Sequence, residues 1–284
     1  MEPTSTKRSG ALLSRLRELP RKPRPIRYAL SRLIVRSGPI LTWHVMDRGS
    51  YRLRLYPTAY SAAIWYDRND LTGVEPFLQR YLREGDVVID VGANIGTTAL
   101  TASSVVGGAG LVLAIEAHPR THRYLLGNIR LNRRANIEAV NCAAGDREGV
   151  VLLSNGRSDD MNTVSDDGIE VPVHRLDSLA PMGDIALLKV DVEGYEFRVL
   201  NGSLGILDRV QCVVFEALEY LAAGQGGSVL DSVRLLETAG FDVLQLWGPD
   251  KITPFDDRKE QAQHAGNLIA TRNLALLRSR MQGA

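Results

Sequence analysis

Val87-Val-Ile-Asp90-Val-Gly92-Ala-Asn94-Ile-Gly96 is the most informative segment of the chain. Val87 to Val91 is a short, nearly continuous apolar run, the pattern of a parallel strand covered on both faces, and it runs straight into a glycine loop that opens a helix. The following segments repeat the plan. Leu111 to Ile115 predicts a second buried strand, Arg120 to Leu131 a helix and Ile137 to Cys142 a third strand. Ile185 to Val190, Gln211 to Phe215, Phe241 to Leu246 and Asn267 to Thr271 predict four more strands, with helical patterns at Tyr195 to Leu200 and Val229 to Ala239 between some of them. Strands alternating with helices predict a doubly wound, Rossmann-like α/β fold with about seven mostly parallel strands and helices on both faces.

Two regions depart from this alternation. Between Val150 and Arg175 there is no helical pattern but two β-rich pieces, Val150 to Leu153 and Ile169 to His174, flanking the polar run from Ser154 to Asp167. This predicts a β excursion beside the site. Upstream, Trp43 to Asp47 and Tyr51 to Tyr56 alternate around Arg48-Gly49-Ser50, as in a β-hairpin. A short helix follows, with Pro76 in its first turn and Gly85 expected at its C-cap.

Glycines at 92 and 96 let the backbone approach a ligand closely, and Glu116 ends the second strand 24 residues after Gly92. An acidic side chain there can accept hydrogen bonds from both hydroxyls of a ribose, so the pair predicts an adenosine-containing cofactor across the carboxyl ends of the strands. NAD is the rival, but its G-x-G-x-x-G spacing is missing. Asp90, two residues before the first glycine, would repel a pyrophosphate and suit a cationic sulfonium. The bland alternative is a glycine turn that merely joins strand to helix.

The segment Leu187-Leu-Lys189-Val-Asp191-Val-Glu193-Gly194-Tyr-Glu196 carries Lys189, Asp191 and Glu193 at spacing two, on one side of a chain leaving the sheet. Ionisable groups in an apolar strand need a reason. Either Lys189 pairs with a neighbouring carboxylate and fixes the turn, or the group lies beside the cofactor, where a carboxylate takes the proton of an attacking hydroxyl. Glu216, at the end of the fifth strand, either faces an acceptor or caps the sheet. Asp191 and Glu216 also suit a hard divalent cation. His118, His122 and His174 show no metal-ligand spacing.

These blocks resemble the FkbM-type methyltransferases. The resemblance runs from about Glu75-Pro76 to Asn267 and rests on D-V-G-A-N-I-G (90–96), I-E-A-H-P (115–119), N-I-R-L-N (128–132), A-A-G-D-R-E-G (143–149), R-L-D-S-L (175–179) and L-L-K-V-D-V-E-G-Y-E (187–196), with Ala117 where the family usually has proline. It implies a class I methyltransferase fold and S-adenosylmethionine as cofactor. It implies cofactor contacts at Asp90, Gly92, Asn94, Gly96 and Glu116, and an adenine-side wall near Cys142 and Ala143. It also implies O-methylation, typically of sugar hydroxyls in glycans, glycolipids or secondary metabolites. Lys189, Asp191 and Glu193 are then the candidate catalytic groups. An NAD-dependent sugar oxidoreductase and a non-catalytic nucleotide-binding adaptor are the competing readings.

Composition bounds the rest. The 284 residues balance 34 Lys+Arg against 33 Asp+Glu, so whole-molecule charge argues for neither nucleic acid nor an acidic partner. Locally, residues 1–36 carry ten Lys/Arg and predict a loosely ordered basic arm whose Leu12, Leu13, Leu16 and Leu19 can lie on an anionic membrane. Arginines interrupt every apolar run there, so no signal peptide is expected, and no window is apolar enough for a membrane span. Cys142 and Cys212 predict buried free thiols, and a cytoplasmic location is expected. The expected organisation is the arm (1–36), hairpin and helix (37–84), the cofactor-binding domain (85–272) and a C-terminal tail (273–284).

Overall fold

The computed structural model describes residues 31, 44–66, 74–154, 164–165, 167–222, 225–248, 251–256 and 264–282. The basic arm, apart from Ser31, and most of the 154–167 run lie outside the described residues. The chain divides into two compact units, one of Met1–Met46 with Arg54–Asp70, the other of Asp47–Leu53 with Leu71–Ala284.

The expected hairpin is present as β1 (Val45–Asp47) and β2 (Arg52–Arg54), a two-stranded sheet. Its turn is closed by the Arg48 N–H donating to the Tyr51 carbonyl at 2.9 Å. In the smaller unit α1 (Ala59–Tyr66), which the sequence pattern did not announce, follows directly on Thr58. The Thr58 Oγ1 accepts the Ser61 N–H at 2.9 Å, which satisfies one of the four donors that a helix start leaves open.

The larger unit begins with α2 (Glu75–Tyr81), which has Pro76 in its first turn as expected. It ends at Leu82, so Gly85 is not its C-cap. Gly85 instead takes φ +85° in the turn into the sheet, with its N–H donating to the Val106 carbonyl at 2.9 Å. Then follow β3 (Val87–Val91), α3 (Thr97–Val106), β4 (Leu111–Ile115), α4 (Pro119–Asn132), β5 (Ile137–Val140), β6 (Ala143–Gly145), β7 (Gly149–Leu153), β8 (Ile169–Arg175), α5 (Leu176–Leu179) and β9 (Leu187–Val190). The chain continues through α6 (Glu196–Asn201), β10 (Cys212–Leu218), α7 (Glu219–Ala222), α8 (Val229–Thr238), β11 (Asp242–Trp247), β12 (Lys251–Pro254), β13 (His264–Thr271) and α9 (Leu274–Gln282).

The main sheet has eight strands in the order β12-β11-β13-β10-β9-β3-β4-β5, one more than expected. From β10 to β5 every pair is parallel, while β13 runs antiparallel to both β10 and β11. This is the Rossmann-like, mostly parallel arrangement that the sequence predicts. The extra strand, β12, is a half-exposed edge that pairs antiparallel with β11. The β excursion is a second sheet, β6-β8-β7, in which β7 and β8 are the two expected pieces, paired antiparallel, and β6 adds to β8 in parallel. Residues of the expected tail form α9, where Arg280 pairs with Asp86 at 2.6 Å and lies 5.0 Å over the Tyr81 ring.

Alternation within the strands sorts side chains onto two faces. Ile89, Val91, Leu188, Val190, Val213 and Phe215 enter one buried cluster with Val199 and Leu200 of α6 and Val229, Val233 and Leu236 of α8. The opposite face carries a cross-strand row, Ala114, Asp90, Lys189, Val214, Ile269 and Leu244, fixed by the pairing registers. Two charges therefore stand side by side within an apolar row. Cys142 and Cys212 are buried free thiols, as expected. No described helix is long and apolar enough to cross a membrane.

Candidate active site

The carboxyl ends of β3, β4, β9 and β10 lie together, and each contributes an acidic residue. Asp90, near the end of β3, is fully buried. Its Oδ1 is 3.2 Å from the Lys189 Nζ, which also stands 3.2 Å from the Asp191 Oδ2 and donates to the Gly92 carbonyl at 3.2 Å. One ammonium thus ties the glycine loop to the loop after β9. Burial acts to lower the Lys189 pKa, but the charges of Asp191 and Asp90 outweigh it and the net shift is upward. Burial likewise raises the Asp90 carboxyl, against the opposing pull of Lys189. The pair is thus mutually dependent.

The loop from Gly92 to Gly96 is held from its neighbours. The Gly92 and Ala93 N–H groups both donate to the Ile115 carbonyl, at 2.9 and 3.0 Å. Gly92 has φ +78°, and a Cβ there would overlap the Asp191 carbonyl oxygen. The absence of a side chain at 92 is therefore required by the close passage of the two loops, in addition to any approach by a ligand. At Gly96, the N-cap of α3, φ is +98° and a Cβ would press on the Leu125 side chain. Asn94 is left-handed at φ +50°, and its Oδ1 accepts the Ile95 N–H at 2.8 Å. Gly92→Ala is expected to cost at least about 1–2 kcal/mol from backbone conformation alone, visible as a lower Tm, and to weaken cofactor binding by pushing Asp191 away.

Glu116 follows β4, with 9% of its surface exposed. Its Oε2 accepts the Asn94 N–H at 2.8 Å and its Oε1 the His118 N–H at 2.9 Å. Burial pushes its carboxyl up to about 7, despite these two backbone donors. Each oxygen keeps a further lone pair. Asn141, which sequence reasoning passed over, steadies this corner by donating from Nδ2 to the Glu116 and Ala117 carbonyls at 2.8 and 3.0 Å. Cys142 lies in the main core and Ala143 in the small cluster under the second sheet, against which Ala117 packs. Burial raises the Cys142 thiol to about 11.

Past Val190 the chain turns sharply. Glu193 and Gly194 are both left-handed, at φ +54° and +100°, and a Cβ on residue 194 would overlap the Leu221 carbonyl. The turn is organised by Glu196, whose Oε1 accepts the Val192 and Gly194 N–H groups at 3.0 and 3.2 Å. This brings carboxylate oxygens of Asp191, Glu193 and Glu216 within 4.8 Å of one another. Glu216 therefore joins the three candidates at 189, 191 and 193, a placement that sequence spacing left undecided. Its Oε2 is buried with no hydrogen-bond partner, and burial, reinforced by the charges of Asp191, Glu193 and Glu196, pushes its carboxyl up to about 8. Such a corner can hold a proton, and its oxygens are of the kind that suit a hard cation. His118 is committed to capping α4, its Nδ1 accepting the Arg120 N–H at 3.1 Å, and His174 pairs with Glu148 at 2.6 Å.

Residues 90–243, more than half of the chain, match the family model of the methyltransferase FkbM domain. Among curated proteins, the hexuronic acid methyltransferase AglP of Haloferax volcanii is 29% identical over 196 residues, which cover 65% of this chain and 78% of that protein. Among solved structures, the methyltransferase FkbM of Methylobacillus flagellatus KT aligns with a TM-score of 0.43 and 17% identity, over 76% of this chain and 56% of that one. Aeropyrum pernix fibrillarin, solved with S-adenosylmethionine, aligns with a TM-score of 0.41 and 15% identity, over 70% and 73% of the two chains.

Proposed function

Because the chain belongs to the FkbM family of methyltransferases, we propose that it transfers a methyl group from S-adenosylmethionine to a hydroxyl of a sugar, in a glycan, glycolipid or secondary metabolite. The observation that carries this reading is the charge at the carboxyl ends of the strands. Asp90 and Asp191 flank Lys189 there, Glu193 and Glu216 stand beside Asp191, and Glu116 holds the glycine loop. An excess of carboxylates favours a sulfonium and disfavours the pyrophosphate of a dinucleotide. The hexuronic acid methyltransferase relative supports a sugar acceptor.

When bound, the cofactor supplies a methyl carbon activated by its sulfonium, with a neutral thioether as leaving group. The work of the protein is to align and to accept a proton. In this reading Glu116 receives ribose hydroxyls on its remaining lone pairs, and the loop of Gly92, Asn94 and Gly96 seats the cofactor. Cys142 and Ala143 lie on the adenine side. Lys189, held charged between Asp90 and Asp191, fixes the two loops relative to each other. As the new carbon–oxygen bond forms, the hydroxyl proton passes to the carboxylate group of Asp191, Glu193 and Glu216. Holding donor and acceptor in line contributes the larger share, about 7–11 kcal/mol for well-aligned groups. A divalent cation shared by the same three carboxylates would instead polarise the acceptor oxygen.

Calorimetry is expected to show binding of S-adenosylmethionine and of its demethylated product, and none of NAD. Tight NAD binding with neither of the others would overturn the proposal. Glu116→Ala should weaken the cofactor by about 1.5–3 kcal/mol for each charge-assisted hydrogen bond to the ribose that it removes, and unchanged affinity would place the ribose elsewhere. Mass spectrometry across a panel of glycosides, uronic acids included, identifies the acceptor by the gain of one methyl group. Binding without turnover on any acceptor would favour an adaptor.

A further inference from the structure

Helix α4 is divided by charge as well as by hydropathy. Thr121, Leu125, Asn128 and Ile129 are its buried residues. Its other side carries Arg123 and Arg130, both exposed, and the chain leaving the helix adds the exposed Arg133 and the half-buried Arg134. The segment from 119 to 134 contains no acidic residue. The hairpin turn extends the same surface. Asn132 Oδ1 accepts the Arg52 N–H and its Nδ2 donates to the Arg52 carbonyl, both at 2.7 Å, while Arg134 donates to the Ser50 carbonyl at 2.8 Å. Arg52, Arg133 and Arg134 consequently line one shallow hollow, in which the exposed Asp47 is the one acidic residue. Among the described residues, no carboxylate forms an ion pair with Arg52, Arg123, Arg130, Arg133 or Arg134. Five arginines against the single Asp47 are a strong local concentration in a chain with net charge +1.

We propose that this face docks the protein on an anionic membrane surface through electrostatic attraction alone. Arg123 and Arg130 stand about 10 Å apart along the helix, with the other three arginines beyond its end, and mobile anionic headgroups can gather beneath such irregularly spaced charges. The face offers little to a nucleic acid. Tyr51 is buried and Tyr124 half-buried, so no exposed ring is available for base stacking. None of the exposed large apolar side chains belongs to α4 or the turn, so the contact is an adsorption that salt screens, without insertion.

The test is co-sedimentation of the full chain with vesicles of phosphatidylcholine, with and without phosphatidylglycerol, at low and high salt. The expected result is binding only to the vesicles with phosphatidylglycerol and only at low salt. Combining Arg123→Gln, Arg130→Gln and Arg133→Gln should reduce partitioning by about 100-fold, since each basic residue at an anionic surface contributes about fivefold. Combining Arg234→Gln, Lys251→Gln and Arg278→Gln removes the same charge from outside this face and should leave partitioning nearly unchanged. Melting curves and cofactor affinity, the same for both triple variants as for the parent, show that the fold is kept. The proposal is overturned by equal binding to neutral vesicles, by equal losses in the two triple variants, or by no loss in the first, which would move the binding surface to the arm of residues 1–36. Binding of a DNA or RNA duplex in place of vesicles would overturn it as well.

Discussion

Asp191→Asn and Glu216→Gln are each expected to reduce turnover by about 10² to 10⁴, the usual contribution of a positioned base, and Glu216→Gln should do so while leaving S-adenosylmethionine affinity close to that of the parent. Glu216→Gln is the cleaner variant, because its Oε2 is buried without a hydrogen-bond partner, whereas Asp191 also pairs with Lys189. The pH profile adds a second readout. Burial and the neighbouring carboxylates hold the Glu216 carboxyl up at about 8, so a reaction that needs it deprotonated should accelerate as pH rises through that value. Glu216→Gln should abolish this limb, since the carboxyl that titrates there is gone. Stability moves the opposite way. The folded state retains a proton that the unfolded chain releases near the ordinary glutamate value, so this group's contribution is fully present below that value and is lost as pH rises to about 8. Glu216→Gln should flatten that loss in a series of melting curves. Unchanged rates in both variants would remove these residues from the chemistry, and activity restored by magnesium or manganese would identify a cation as their role.

The second large effect lies one layer deeper. Lys189→Met is expected to destabilise the protein by about 3–5 kcal/mol, the cost of leaving a buried charge unpaired, because Asp90 is fully buried and its Oδ1 faces Lys189 at 3.2 Å. Adding Asp90→Asn should recover much of that loss, since the uncompensated charge then disappears. Denaturant titration of the parent, single and double variants measures the coupling. Additive losses would mean that the two residues do not act as a pair. Cofactor affinity in the double variant should stay reduced even where stability returns, because the Lys189 link between Asp191 and the Gly92 carbonyl is gone.

Local patterns of residues were enough for the frame. Each of the seven strands read from them is present, because a strand covered on both faces is a short apolar run bounded by turn residues, a signal contained in a handful of neighbouring positions. They also placed Asp90, the glycine loop and Glu116 at one end of the sheet, since parallel strands all present their carboxyl ends on the same side. Elements whose reasons lie elsewhere in the chain stayed hidden. β12, a half-exposed edge strand, has no apolar pattern of its own and forms because β11 offers an open edge. β6 is three residues that become a strand only beside β8.

The partners of the charges, by contrast, are set by the folded chain. Spacing two placed Lys189 near Asp191, but it was the register of β3 against β9 that set Asp90 beside Lys189 in an apolar row. Glu216 reaches Asp191 and Glu193 because β10 lies next to β9 and because Glu196 bends the intervening turn toward it. Gly92 could be read as room for a ligand, whereas the atom it must avoid is the carbonyl of Asp191, almost a hundred residues away. Register between strands distant in sequence follows from how both faces of the sheet pack at once, and no local pattern of residues encodes that.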